Sequence, residues 1–190
     1  AGMSQAVLFE ECHWEPWKNG QGLTRVLGGD ATWRLSLAEI RTSSSFSIFE
    51  GLTREIGLMR GHGLSLRPQD QALDPMVLDR AGVCFAFSGD LALTGMLHDD
   101  PVQVLNLMYG AGQRHLLRPI TQACRVDGLL ALVPVRGGWR IGAMPPEEEV
   151  RVAAGTSFLR SSTPQTLDLV PEEGEAPLAY GVFAVTDGAG

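Results

Sequence analysis

Turn-forming residues interrupt this chain so often that no helix of ordinary length has room to form. Its 190 residues include 23 Gly and 11 Pro, and short apolar runs stand between them. Nowhere does an apolar spacing of three and four persist beyond about two helical turns. Short strands closed by turns predict an all-β sandwich or barrel. The clearest strand is 31–41, ATWRLSLAEIR, where Trp33, Leu35 and Leu37 share one face and Arg34, Ser36 and Ala38 the other. In a small barrel one face is interior, so Arg34 and Ser36 are candidates for a polar pocket. The period alone does not choose between the faces. Other strands are expected at 6–11, 52–59, 83–87 and 102–109, and again through the last third of the chain. Asp127-Gly128 and Gly137-Gly138 mark hairpin turns there, and PPEEEV at 145–150 an exposed acidic one. The tight turn Gly110-Ala111-Gly112 divides the chain into expected units 1–110 and 111–190.

The stretch 14–25, WEPWKNGQGLTR, does not alternate as a core strand would. It spends Trp14 and Trp17 on what is otherwise loop chemistry. Pro16 holds Glu15 extended, Asn19-Gly20 is a turn signal, and Gly22 permits close approach of the backbone. Lys18, Asn19, Thr24 and Arg25 then offer a cation, an amide, a hydroxyl and a guanidinium fork. That set suits a carboxylate or another small hydrogen-bonding anion. It also suits a tight hairpin plugged by tryptophan, with solvated charges.

The formal net charge is −7, and no basic run exceeds a pair, so nucleic acid is not an expected partner. No apolar run reaches the length of a membrane-spanning helix, so no membrane partner is expected. Cys12, Cys84 and Cys124 are odd in number, widely spaced and without metal-ligand spacing. With no secretory signal legible in AGMSQ, the expected location is the cytoplasm.

Several motifs follow one another in a set order. Trp17-Lys18-Asn19-Gly20-x-Gly22-x-Thr24-Arg25 precedes Trp33-Arg34-Leu35-Ser36-Leu37-Ala38, then Phe46-Ser47-x-Phe49-x-Gly51, Phe87-x-Gly89-Asp90 and Asn106-Leu107-Met108. In this series, over about residues 7–185, the chain resembles the HutD family, small bacterial bicupins often associated with histidine utilisation. The resemblance implies two cupin-type (RmlC-like jelly-roll) β-barrels in one chain that exchange strands. It also implies a ligand pocket built from Trp17, Lys18, Asn19, Thr24, Arg25, Arg34, Ser36, Phe87, Asn106 and Met108. In that pocket Arg25 or Arg34 grips a carboxylate, Asn19 and Asn106 read a hydrogen-bonding group, and Phe87 and Met108 form walls. The chain departs from the family at Gln21, where Gly is usual, and at Leu23, where Thr is common. The family continues Thr-Arg-Glu-Ile where this chain has Thr24-Arg25-Val26-Leu27. An Asp is common where Val104 stands, and an Arg pair where Tyr109-Gly110 stand. These changes alter the charge around the pocket.

Catalytic constellations are sparse. His13, His62, His98 and His115 show no ligand pairing and are expected at surface or turn positions. No metal and no cofactor is therefore expected. Asp99-Asp100 before Pro101 suits a turn. The expected function is a non-catalytic, regulatory bicupin that senses a small anionic metabolite, with urocanate or formylglutamate as candidates. The alternative is a metal-free cupin isomerase or lyase acting on a carboxylated substrate through Glu39, Glu55 or His62. A homodimer formed through a sheet edge is a further expectation.

Overall fold

The computed structural model of this chain describes residues 4–143, 149–160 and 166–185. Among these, every regular element except one 3₁₀ turn at Phe9–Glu11 is a strand. The chain divides into two compact units, a middle unit (Cys12–Gln113) and a terminal unit (Ala1–Glu11 with Arg114–Gly190). The strand expected at 6–11 is instead β1 (Ser4–Leu8), which ends in the 3₁₀ turn. It pairs antiparallel with β17 (Thr156–Arg160), so the start of the chain completes the unit built by its end. The expected boundary at 110/111 cannot anticipate this, because hydrogen bonding between distant strands leaves no local signal.

The middle unit holds β2 (Glu15–Pro16), β3 (Gly22–Gly29), β4 (Trp33–Ile40), β5 (Ser44–Ser45) and β6 (Leu52–Arg60). It continues with β7 (Leu64–Pro68), β8 (Met76–Leu78), β9 (Cys84–Ser88), β10 (Leu93–Leu97) and β11 (Val102–Gly110). One sheet runs β2-β3-β4-β11-β6-β9 and the other β5-β10-β7-β8. Ile40, Ile56, Leu58 and Val104 of the first sheet share a core with Phe46, Leu64, Leu66 and Leu93 of the second. No pairing among the described residues closes either sheet on itself, so the units are open sandwiches rather than closed barrels.

The terminal unit adds β12 (His115–Ile120), β13 (Cys124–Val126), β14 (Leu129–Arg136), β15 (Gly138–Ala143), β16 (Glu149–Ala153), β18 (Leu167–Pro171) and β19 (Leu178–Ala184). Its sheets run β1-β17-β14-β19-β12 and β13-β18-β15-β16. Counted from β4 and from β12, both units thus order eight strands as first-eighth-third-sixth and second-seventh-fourth-fifth. What differs is the addition. The middle unit carries β2 and β3 outside its first strand, and the terminal unit carries β1 outside its sixth. The acidic turn expected at 145–150 lies outside the described residues up to 148, and Glu149 and Val150 begin β16. His115, expected at the surface or in a turn, is buried on β12.

β4 answers the question its alternation left open. Arg34, Ser36, Ala38 and Ile40 look toward the middle unit's interior space, Arg34 exposed at its mouth and the other three buried, while Leu35 and Leu37 are buried on the opposite face. A strand covered on both sides needs its polar residues where there is a cavity. Gly89 anchors the loop that closes this space. Gly89 N–H donates to Leu52 O (2.7 Å), Phe49 N–H donates to Gly89 O (2.8 Å), and Gly51 N–H donates to Asp90 Oδ1 (3.0 Å). A Cβ on Gly89 would run into the Phe49 carbonyl and stand 2.8 Å from that of Leu52. Gly89→Ala should therefore cost about 1–3 kcal/mol through forced displacement of this loop. Urea unfolding checks this, and an unchanged midpoint would show that the latch tolerates the methyl group.

Candidate functional site

The face of β4, β11 and β6 that looks inward carries two polar rows. Met108 of β11 pairs with Arg34 on one side and with Arg54 on the other. Two residues along, Asn106 pairs with Ser36 and with Ile56. Adjacent strands lie about 4.8 Å apart and alternate residues roughly 7 Å apart. The two arginine Cα atoms are therefore about 10 Å apart across Met108, with Ser36 and Asn106 one row below. Above this face lies a cavity of about 510 Å³. Its walls include Thr24 and Val26 of β3, Phe46, Ser47 and Phe49, and the Trp17–Asn19 turn.

Eight of the ten residues expected at the pocket line this one cavity: Trp17, Lys18, Asn19, Thr24, Arg34, Ser36, Asn106 and Met108. The strand and turn geometry explains why. Trp17 closes a turn in which Gly20 N–H donates to Trp17 O, with Gly20 at φ 72°. Its indole Nε1–H donates to Thr24 Oγ1 (2.8 Å), and its ring meets Phe46 edge-on at 6.1 Å. Gly22 makes room: a Cβ there would stand 2.9 Å from the indole and 2.8 Å from Glu39 O. Asn19 is partly committed to its own turn, since its Oδ1 accepts from Gln21 N–H (3.0 Å). Lys18 and Arg34 are exposed at the rim, whereas Ser36, Asn106 and Met108 are buried.

Two expected residues lie elsewhere. Arg25 follows Thr24 on β3 and so points to the other face of the sheet, where its guanidinium stacks over Trp14 at 3.9 Å. It is not among the residues that line the cavity. Phe87 of β9 is not a wall either; it packs its ring on the Arg54 guanidinium at 5.2 Å.

Arg54 is the residue the sequence reading left out. It is 5 % exposed and lines the cavity. Phe46, Phe49 and Phe87 surround its guanidinium at 5.6, 5.0 and 5.2 Å. Nη1–H donates to Ser47 O (3.2 Å), while Nε is buried with no hydrogen-bond partner. No carboxylate pairs with it among the described residues. Burial first, and the charge of Arg34 second, push its pKa down to about 10. The signal for it is an arginine set within the apolar strand 52–59, which once buried must find a partner or a cavity.

The acid–base candidates of the enzymatic alternative do not line this cavity. Glu39 pairs with Arg41 (3.0 Å). Glu55 lies beside Arg54 on the opposite face, where it accepts from Tyr109 Oη–H (2.8 Å) and helps hold that phenol well above its usual range, behind burial as the largest cause. His62 is exposed beside Asp100 (3.3 Å). His62, Asp99 and Asp100 form the one group among the described residues that brings three metal-ligating side chains together; their ligand atoms lie within 4.8 Å and all three are exposed.

The terminal unit has a cavity of its own, about 580 Å³, at its first and eighth strands. Its lining is largely apolar, with Leu116, Ile120, Val126 and Phe183 beside the exposed Arg118 and Asp127. Phe183 lies over Gly181, and a Cβ there would meet its ring at 2.6 Å. Where β11 presents Asn106 and Met108, the corresponding β19 presents a ring folded over a glycine.

A family model described as HutD matches residues 10–173. An uncharacterised 21.2 kDa protein from the hutC 3′ region of Pseudomonas putida is 36 % identical over 110 residues, an alignment that covers 54 % of this chain and 56 % of that protein. Among solved structures, a conserved protein of unknown function from Pseudomonas aeruginosa PAO1 matches with a TM-score of 0.83 and 26 % identity, covering 97 % of this chain and 100 % of the other. HutD from Pseudomonas fluorescens SBW25 (formate condition) matches with a TM-score of 0.79 over the same shares at 20 % identity, a likeness of fold alone.

The electrostatics of Arg54 give a direct test. Its guanidinium should titrate near pH 10, well below an ordinary arginine. The neutral form is favoured on folding, so this group adds stability as pH rises above that value, where the unfolded chain still binds the extra proton. Arg34→Gln should move the titration upward but not restore the ordinary value, because burial is the larger cause. Carbon NMR of the guanidinium between pH 8 and 12 reads both, and a fully protonated Arg54 at pH 11.5 would contradict the reading.

Proposed function

The chain belongs to the HutD family, and on that premise we propose that it is a non-catalytic protein that binds a small carboxylate-bearing metabolite in the middle unit's cavity and acts as its sensor. One observation carries this reading: a buried guanidinium with no anionic partner among the described residues. Burying an unpaired cation is costly, and the cost is recovered when an anion arrives. Arg34 at the rim adds a second fork, and Lys18 a point charge. Among the described residues a single lining carboxylate stands against these, Glu15, which is exposed. The cavity volume falls within the range of small-molecule sites. We read the two units as the cupin-type jelly rolls that family membership implies, with the polar site in the middle one. The P. fluorescens HutD structure was obtained in a formate condition, and formate is the smallest member of the same ligand class. The P. putida relative's position beside hutC makes the carboxylates of histidine breakdown, urocanate and formylglutamate, the first metabolites to try.

A thermal unfolding scan with urocanate, formylglutamate, formate and acetate tests the proposal. A ligand at about 100 times its dissociation constant should add roughly 2.7 kcal/mol, a rise of about 5–10 °C for a chain of this length. Arg54→Met should abolish the rise. Without ligand, this variant should melt no lower than the wild type, since it removes a buried charge that has no counter-ion among the described residues. A full ligand response in Arg54→Met would refute the assignment.

A further inference from the structure

The terminal unit's cavity has no part in the proposed function, and its chemistry is of another kind. Like the middle unit's cavity it lies against the first and eighth strands of its unit, and its volume of about 580 Å³ suits a small molecule. The middle unit lays β2 and β3 beyond its first strand, whereas β12 ends its sheet. Leu116, Val126 and Phe183 are only half-buried at the cavity wall, with Ile120 buried behind them. Leu116 and Arg118 of β12 pair with Phe183 and Gly181 of β19. The bare Gly181 lets the Phe183 ring lie over it and shape that wall. Three titratable groups line the cavity among the described residues. Burial first, and Asp168 second, push the Cys124 thiol up, so it stays neutral. Arg118 is then the one cation and Asp127 the one anion, both exposed. They stand at opposite ends. Ala184 N–H donates to Gly128 O (2.8 Å), which sets the Asp127-Gly128 turn beside Ala184 and its partner His115. Arg118 lies three residues further along β12, about 10 Å away. Thr166 Oγ1–H donates to Asp127 Oδ1 and holds it there, while the Arg118 fork has no partner among the described residues.

We infer that the terminal unit holds a second ligand site, built for apolar monocarboxylates. Arg118 takes the carboxylate through its planar fork, and the apolar body lies on Leu116, Val126 and Phe183. Asp127 faces the far end of the ligand, where it repels a second carboxylate. A fork beside half-buried apolar walls fits a molecule with one charged end and one greasy end, and the opposite charge at the far end excludes its dicarboxylate counterpart. This site does not depend on the middle unit's, whose cavity carries two arginines and a lysine.

Calorimetry on the full chain carrying Arg54→Met, which takes the middle unit's anion site out of the titration, reads the second site alone. Butyrate, hexanoate and octanoate should bind with an affinity that rises about three- to fourfold for each added methylene, as burial of a CH₂ group requires. Adipate, which is hexanoate with a carboxylate at its far end, should bind at least tenfold more weakly than hexanoate. Arg118→Gln should weaken hexanoate about tenfold, the worth of a charge-assisted hydrogen bond, and leave the gain per methylene unchanged. Asp127→Asn should bring adipate to within about threefold of hexanoate. Both substitutions fall at exposed positions and spare the core. Methyl NMR of the same samples should show the ligand-induced shifts at Leu116 and Val126. No binding of the three acids to Arg54→Met overturns the second site, whatever the wild type does with urocanate or formate. A full affinity for hexanoate in Arg118→Gln reduces the effect to unspecific apolar adsorption and overturns the role of Arg118. Equal affinity for adipate and hexanoate before Asp127 is changed overturns the role of Asp127. Shifts confined to methyl groups of the middle unit overturn the placement.

Discussion

A guanidinium held in a box of phenylalanine rings sets the terms for the rest of the middle unit. Arg54 cannot leave the interior without opening the contacts of Phe46, Phe49 and Phe87. It cannot rest there without cost either, because burial drives its pKa down. Rings accommodate a cation better than aliphatic groups do, since their faces carry partial negative charge. That contact, with one backbone carbonyl at Ser47, leaves Nε unanswered. A site that is folded, charged and incomplete is prepared for an anion, with little reorganisation left for the moment of binding.

The local structure around Arg54 follows from this demand. Phe46 and Phe49 belong to a segment with little strand pairing of its own, so other groups must fix it. Gly89 supplies two backbone hydrogen bonds and Asp90 a third, at a point where only a glycine fits between the Phe49 and Leu52 carbonyls. Phe46 is held in turn by a hydrogen bond from its backbone N–H to Leu93 O (2.9 Å) and by the bare Gly95 beneath its ring. Motifs far apart in sequence, Phe46-to-Gly51 and Phe87-to-Asp90, are two halves of one clamp. The Trp17 turn closes the remaining side through its bond to Thr24 and its edge contact with Phe46.

The two units show how one strand order serves two ends. Both place eight strands alike, yet only the middle unit adds β2 and β3 beside its first strand. Those additions bring Trp17, Lys18, Asn19 and Thr24 over a face that carries two arginines, a serine and an amide. In the terminal unit the first strand stays at the sheet edge, and Phe183 fills space above Gly181. Strand β1 instead extends the opposite side of the sheet and ties the start of the chain into it.

The sequence by itself determined the all-β class, the family, the spacing of the strands and many of the residues that line the middle unit's cavity. Turn residues punctuate the chain too closely for helices, and the alternation of 33–38 commits Arg34 and Ser36 to one face whichever way it looks. Asn106 was legible as well, since an amide in an apolar run must find a partner or a cavity. Tertiary structure alone decided the rest. Period two says that Thr24 and Arg25 face opposite ways, but only the pairing of β3 with β4 says which of them meets the cavity. Arg54 and Glu55 are adjacent in sequence, and both sit in a strand buried on both faces. Neither composition nor spacing tells which one looks into the pocket, because that depends on which face of the sheet carries the cavity. The same holds for β1, whose partner is about 150 residues away. Local chemistry fixes how a segment folds, and long-range pairing fixes what it faces.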